Sequence, residues 1–180
     1  MRLWPKLLEK KGGKTGFVEK IPAGFKAAVI VTSDSTSKGT RSDKSGRLIE
    51  ERLKSLGIES SYEVIPDEKK LISSTLLKYC EKGMQLIVTT GGTGLGPRDV
   101  TVEATEAVVD RQIPGIMEAA RSFGQRRTPY AMLSRGIAGQ KGKTIIVNLP
   151  GSSRGVEESL DAIFPSILHS YKMMGGGGHE

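Results

Sequence analysis

The fold class this sequence predicts is α/β: a three-layer αβα domain with a mostly parallel sheet, helices on both faces and a C-terminal antiparallel hairpin. Three observations lead there. Residues 27–32 and 86–90 are uninterrupted apolar or β-branched runs, the composition of strands buried on both faces. Amphipathic helical patterns separate such runs, and strand–helix alternation packs as a parallel sheet covered on both sides. Stretches dense in Gly, Ser, Thr and Asp come directly after strands, where the carboxyl edge of such a sheet binds ligands.

The elements follow in order. Residues 1–24 read as an N-terminal extension: Leu3, Trp4, Leu7 and Leu8 share one helical face behind Pro5, and Gly12, Gly13 and Pro22 break it. Packing on the domain or on a neighbouring subunit and a flexible tail are both open there. The domain proper occupies 25–172. After the strand at 27–32, a helix over 45–56 places Leu48, Ile49, Leu53 and Leu56 on one side and stops at Gly57. A strand at 62–65 follows, then Pro66 and Asp67 lead into a helix over 68–82 with Leu71, Ile72, Leu76 and Tyr79 inward. The strand at 86–90 feeds a glycine loop, after which Thr101 reads as the N-cap of a helix over 102–110. A further helix covers 114–123. Residues 132–138 and 143–148 are predicted to pair as antiparallel strands about a turn at 139–142. The last helix spans 152–171, bent at Pro165, and 173–180 is a flexible glycine-rich tail.

Composition narrows the function. A chain of 180 residues buries a core without staples, and its 37% hydrophobic and 26% charged content is that of a globular protein. No apolar run reaches the length of a membrane span, and Lys6, Glu9, Lys10 and Lys11 interrupt any secretory signal core. The single cysteine, Cys80, excludes an intramolecular disulfide, fits a reducing and therefore cytoplasmic setting, and sits in a helical pattern as a structural thiol. The net charge is +7, but the cations are spread along the chain and no nucleic-acid-binding motif is present. Attraction of a small polyanionic ligand accounts for the charge, with no nucleic acid or membrane as partner.

The most informative stretch begins at Gly91. Gly91, Gly92, Gly94 and Gly96 are followed by Arg98 and Asp99, directly after an apolar strand. Such a backbone folds tightly and brings N–H groups to an anion. The spacing is not that of a dinucleotide fold, and a Walker A reading of Gly142, Lys143 and Thr144 fails because position 137 is Ile.

Two other loops are directed to the same sheet edge. One carries Ser33, Asp34, Gly39, Asp43, Ser45 and Gly46; the other runs Asn148, Leu149, Pro150, Gly151, Ser152, Ser153. Asp34, Asp43 and Asp99 would repel a bare polyphosphate, which makes Mg²⁺ a natural partner, with Arg98 available to stabilise transition-state charge. Capping or turn formation remains the alternative for Asp34 and Asp43. No loop carries a nucleophile or general base, and His169 and His179 lie elsewhere. Catalysis would therefore rest on positioning and electrostatics, with a ligand bringing its own nucleophile.

Taken together, Ser33, Asp34 and Gly39, then Asp43, Ser45 and Gly46, then Gly91, Gly92, Thr93 and Gly94 with Arg98, Asp99, Val100 and Thr101, and finally Leu149, Pro150, Gly151 and Ser152 resemble one family. It is that of the molybdopterin-binding adenylyltransferases of molybdenum-cofactor synthesis, matched over about residues 25–170. The resemblance implies a homotrimer that binds molybdopterin and activates it with Mg-ATP, the pterin phosphate attacking the α-phosphorus to give adenylyl-molybdopterin and pyrophosphate. It implies hand-over to a molybdate-inserting enzyme. Asp43 and Asp99 correspond to the family's essential aspartates, as catalytic and Mg²⁺-orienting groups. Ser33, Asp34, Ser45, Gly91, Gly92, Thr93, Gly94, Arg98, Pro150, Gly151 and Ser152 correspond to its substrate-binding set. Ser153 stands where many members have proline. A molybdopterin carrier without catalysis is the alternative.

Overall fold

The computed structural model describes residues 21–164 and 166–175. Its first half runs β1 (Lys26–Thr32), α1 (Asp34–Ser37), α2 (Ser45–Ser55), β2 (Glu59–Ile65), α3 (Lys69–Glu81) and β3 (Leu86–Thr90). The second half runs α4 (Thr101–Glu106), β4 (Arg111–Gln112), α5 (Pro114–Gln125), a 3₁₀ turn (Pro129–Leu133), β5 (Ala138–Lys141), β6 (Thr144–Leu149), α6 (Ser153–Ile163) and α7 (Ser166–Met174).

The strands form a six-stranded sheet in the order β2-β1-β3-β6-β5-β4. β2, β1, β3 and β6 are parallel, with Val29 opposite Tyr62 and Val88, and Val88 opposite Val147. β5 folds back antiparallel on β6, and β4 lies antiparallel to β5. The two-residue side-chain period then sorts the core into two layers. Ala27, Val29, Leu86, Val88, Ile145 and Val147 face α2, α5, α6 and α7 through Ile49, Leu53, Met117, Val156, Leu160 and Ile167. Ala28, Ile30, Ile87 and Ile146 face α3 and α4 through Ile72, Leu76, Tyr79 and Ala104. At the amino ends of the strands, Phe25 meets Tyr171 of α7 edge-on, ring centroids 4.8 Å apart. The Tyr171 hydroxyl donates to the Gln85 carbonyl at 2.7 Å.

The three-layer fold agrees with the sequence; several local readings change. Of residues 132–138, only Ala138 is in a strand. Arg121 donates to the carbonyls of Ser134 (3.3 Å) and Gly136 (3.0 Å), occupying acceptors a ladder would need, and pairing starts at Ala138. The hairpin turn accordingly falls between Lys141 and Thr144. β4 carries no sequence signal, because two exposed residues cannot show a period. Thr101 is not an N-cap; Val100 occupies that position and Thr101 opens the helix. The last helix is two helices, the break following Ile163. The extension's apolar face (Leu3, Trp4, Leu7, Leu8), Pro165 and His179 lie outside the described residues. Among those described, no helix is long and apolar enough to cross a membrane.

Candidate active site

The β1–α2–β2 crossover leads to one side of β1 and β2–α3–β3 returns to the other, so the loops after β1 and β3 diverge. A crevice at such a switch point is the standard ligand position in an open α/β sheet. Here it holds a cavity of about 420 Å³. Ser33, Asp43 and Ser45 reach it from the β1 side, Gly91, Gly92, Arg98 and Asp99 from β3, Gly151 and Ser153 from β6, and Asp67 from β2.

The glycine loop is shaped by contacts that forbid side chains. Gly91 and Gly92 have φ of 102° and 61°, a region costly for other residues. A Cβ on Gly91 would collide with the Thr32 carbonyl oxygen, and one on Gly92 with the Thr101 hydroxyl. That hydroxyl instead bonds the Thr32 hydroxyl at 2.9 Å, and the Thr101 N–H donates to the Gly92 carbonyl at 3.1 Å. Asp99 closes the loop by accepting from the Gly96 N–H at 2.8 Å. Since α4 has only six residues, an anion here would be held by the loop backbone rather than by a helix dipole.

The carboxylates have distinct environments. Asp43 Oδ1 accepts from the Gly46 N–H at 3.0 Å, and Oδ2 from the Arg47 N–H at 3.1 Å and the Tyr62 hydroxyl at 2.5 Å. It therefore caps the first turn of α2, for which Lys44 provides no side-chain bond. Burial, then the Asp43 carboxylate, pushes the Tyr62 hydroxyl well above its usual range, so it stays a donor. Asp34 makes a two-pronged pair with Arg98, Nε and Nη2 each at 3.0 Å. The Arg98 hydrogen bond holds its carboxyl below the ordinary range.

Asp67, which the sequence presented only as the lead into a helix, is the unexpected member. Its Oδ2 accepts from the Asp34 N–H at 2.9 Å, and its own N–H donates to Asp34 Oδ1 at 3.2 Å. Its Oδ1 is buried without a hydrogen-bond partner. Burial, reinforced by the negative charges of Asp34 and Asp99, pushes its carboxyl up despite the Asp34 N–H and Arg98. A buried polar atom left bare is costly and calls for an explanation, and an incoming cation supplies one. The available signal was positional: Asp67 lies just past the carboxyl end of a parallel strand.

Of the residues expected at the site, Ser33, Asp43, Ser45, Gly91, Gly92, Arg98, Asp99 and Gly151 share this cavity. The Ser45 hydroxyl donates to the Gly151 carbonyl at 2.7 Å, tying the first loop to the last. Asp34 sits beside the cavity through Arg98, whose guanidinium is thereby already engaged. Thr93 is buried, and the Thr93 and Gly94 carbonyls accept from Arg135. Pro150 and Ser152 do not share the cavity. They face a second one, of about 280 Å³, with Met117, Ala120 and Tyr130. Ser152 also caps α6 through the Gly155 N–H at 3.2 Å. Among the described residues no group of three or more His, Cys, Asp or Glu is arranged to hold a metal ion. A divalent cation here would need ligand oxygens as well, as Mg²⁺ on a phosphate chain has.

Known proteins share this fold. The family described as "probable molybdopterin binding domain" matches residues 28–169. The molybdopterin adenylyltransferase of Helicobacter pylori is 41% identical over 152 residues, 82% of this chain and 86% of that protein. A molybdenum cofactor biosynthesis bifunctional protein of Chlorobaculum tepidum is 38% identical over 175 residues, 97% of this chain; the chain spans 55% of that longer relative. The solved structure of the molybdopterin biosynthesis enzyme MoaB from Thermus thermophilus superposes with a TM-score of 0.79 at 43% identity, covering 84% of this chain and 97% of its own. With a family match over most of its length and the glycine loop, Asp99 and Gly151 gathered round one cavity, the chain belongs to the molybdopterin-binding domain family.

Proposed function

We propose that this protein is a molybdopterin adenylyltransferase, using Mg-ATP to convert molybdopterin to adenylyl-molybdopterin and pyrophosphate. The carrying observation is Asp67 Oδ1, a buried carboxylate oxygen without a partner beside a loop shaped for phosphate. A carrier of an anionic pterin gains nothing from that charge. An enzyme that must orient a polyphosphate does.

The residues fit a Mg²⁺ carried in on the nucleotide. Asp67 and Asp99 would hold it, and Mg²⁺ would neutralise charge on the triphosphate. Asp43, with both oxygens engaged, shapes the wall that presents Ser45. The glycine loop orients the phosphates through backbone N–H groups. A pterin phosphate oxygen forms the new bond to the α-phosphorus of ATP, the bond to the β-phosphate's bridging oxygen breaks, and pyrophosphate carries away that electron pair. No side chain acts as nucleophile, and rate comes from alignment and preorganised charge.

Purified protein with ATP and Mg²⁺ should release pyrophosphate only when molybdopterin is added. Pterin binding without pyrophosphate would leave the carrier. The resemblance further supports a homotrimer working in the cytoplasm and handing its product to a molybdate-inserting enzyme. Leu95, Tyr130, Met132 and Leu133, large apolar side chains left exposed, are the surface we assign to the subunit contact.

A further inference from the structure

We infer that Arg135 is a positioning residue for this reaction, setting the shape of the glycine loop from behind without entering the cavity; the inference rests on the function proposed above. Four groups of this one residue reach the loop and the helix after it. Its backbone N–H donates to the Thr93 carbonyl at 2.9 Å. Its Nε donates to the Gly94 carbonyl at 2.7 Å, and Nη2 to the Asp99 carbonyl at 2.8 Å. Its Nη1 pairs with Glu103 of α4. Arg135 is not among the residues lining the cavity.

The loop's two ends are held by the Gly92–Thr101 and Gly96–Asp99 hydrogen bonds; Arg135 adds the hold on Thr93 and Gly94 between them. The tip residue Leu95 is 70% exposed, so packing does not fix it, and glycine-rich backbone left alone samples many conformations. A planar guanidinium presents several donors in a fixed fork and can bridge separate carbonyls at once, which an ammonium cannot. Holding the Asp99 carbonyl fixes the backbone from which the Asp99 carboxylate reaches the cavity. Donating to the Gly94 and Asp99 carbonyls also polarises those peptide groups, strengthening the N–H donors on their far sides. Arg135 lies two residues past the turn that carries the exposed apolar residues, so it also ties the loop to that surface.

The test compares Arg135→Lys, Arg135→Ala and Glu103→Gln. Misplacing reacting groups by about an ångström costs on the order of 10²-fold in rate. Both Arg135 variants should lose about that factor in kcat for pyrophosphate release, with KM for molybdopterin changing less than about threefold. The Arg135 side chain is 33% exposed, so guanidinium ion in millimolar amounts can reach the vacated site and should partly restore Arg135→Ala, whereas methylammonium should not. Glu103→Gln keeps the three loop bonds and should stay within about threefold of wild type. Amide exchange across residues 91–103 should quicken in both Arg135 variants and not in Glu103→Gln, a readout that needs no activity. If wild type releases no pyrophosphate, the proposed reaction fails and exchange alone decides whether Arg135 sets the loop. Unchanged exchange, full kcat in Arg135→Lys, or an equal loss in Glu103→Gln would overturn the inference.

Discussion

Asp67 sets function against stability within one side chain. Its folded carboxyl is raised by burial, so the protonated form suits the fold: this contribution is fully present below the ordinary carboxylate range and is lost as pH rises through the folded value. Asp67→Asn keeps an acceptor for the Asp34 N–H and removes the buried charge. It should melt above wild type at neutral pH, by about 2–4 °C if relief of the bare oxygen contributes about 1 kcal/mol. The difference should shrink toward zero as the pH falls below the folded value. Adenylation should drop by about 10²–10³, the usual loss for one positioned electrostatic group. A lower melting temperature at neutral pH with full activity would make Asp67 a structural residue. Asp43 should behave in the opposite way. As a cap it tolerates Asn but not Ala, so Asp43→Ala should cost about 0.5–2 kcal/mol and Asp43→Asn much less. Denaturant titrations of the two variants, with adenylation assayed beside them, distinguish a cap from a Mg²⁺ ligand.

At the scale of the element, the glycine loop is where sequence and structure coincide most closely. Gly91→Ala places a Cβ against the Thr32 carbonyl at φ 102°, strain of about 1–3 kcal/mol, and should lower both the melting temperature and ATP affinity. Gly115→Ala in α5 meets nothing within 4 Å and should be neutral or slightly stabilising, a control for loss of glycine as such. Calorimetry with ATP separates the two. β1 and β3 were legible because strands buried on both faces write unbroken apolar runs, and α2 because Ile49 and Leu53 repeat at helical spacing above a stop at Gly57. β5 is hard to place from sequence because pairing holds it, not its residues: a Cβ on Gly139 would meet the Val109 side chain and the Arg111 carbonyl of the neighbouring strand. The four-residue α1 left no period to read, and its N-cap Ser33 passes for an ordinary loop serine. Of the site, the glycine loop, Asp99 and Gly151 could be read directly. Asp67 could not, since a lone acid before a helix looks like a capping residue until the strand order puts it beside Asp34. Nor could the outward turn of Pro150 and Ser152, which depends on α5 lying behind that loop.

Across the whole molecule, Tyr130, Met132 and Leu133 are large apolar side chains exposed on one turn, the surface assigned above to the subunit contact. Light scattering should report three times the 19.4 kDa chain mass, and Met132→Glu combined with Leu133→Lys should reduce it toward a single chain while leaving the far-ultraviolet spectrum unchanged. A wild-type mass of one chain would remove the trimer from this account. The edge-on contact of Phe25 with Tyr171, at the amino ends of the strands, carries a different consequence. The approach to β1 and the end of the last described helix meet at one pole, and the cavity opens at the other. A fluorescent label placed at Ala23 or Lys172, both exposed, therefore sits on the blind side of the sheet. Labels at those two positions should leave the cavity open to solution, which gives a way to follow the protein without touching the proposed site.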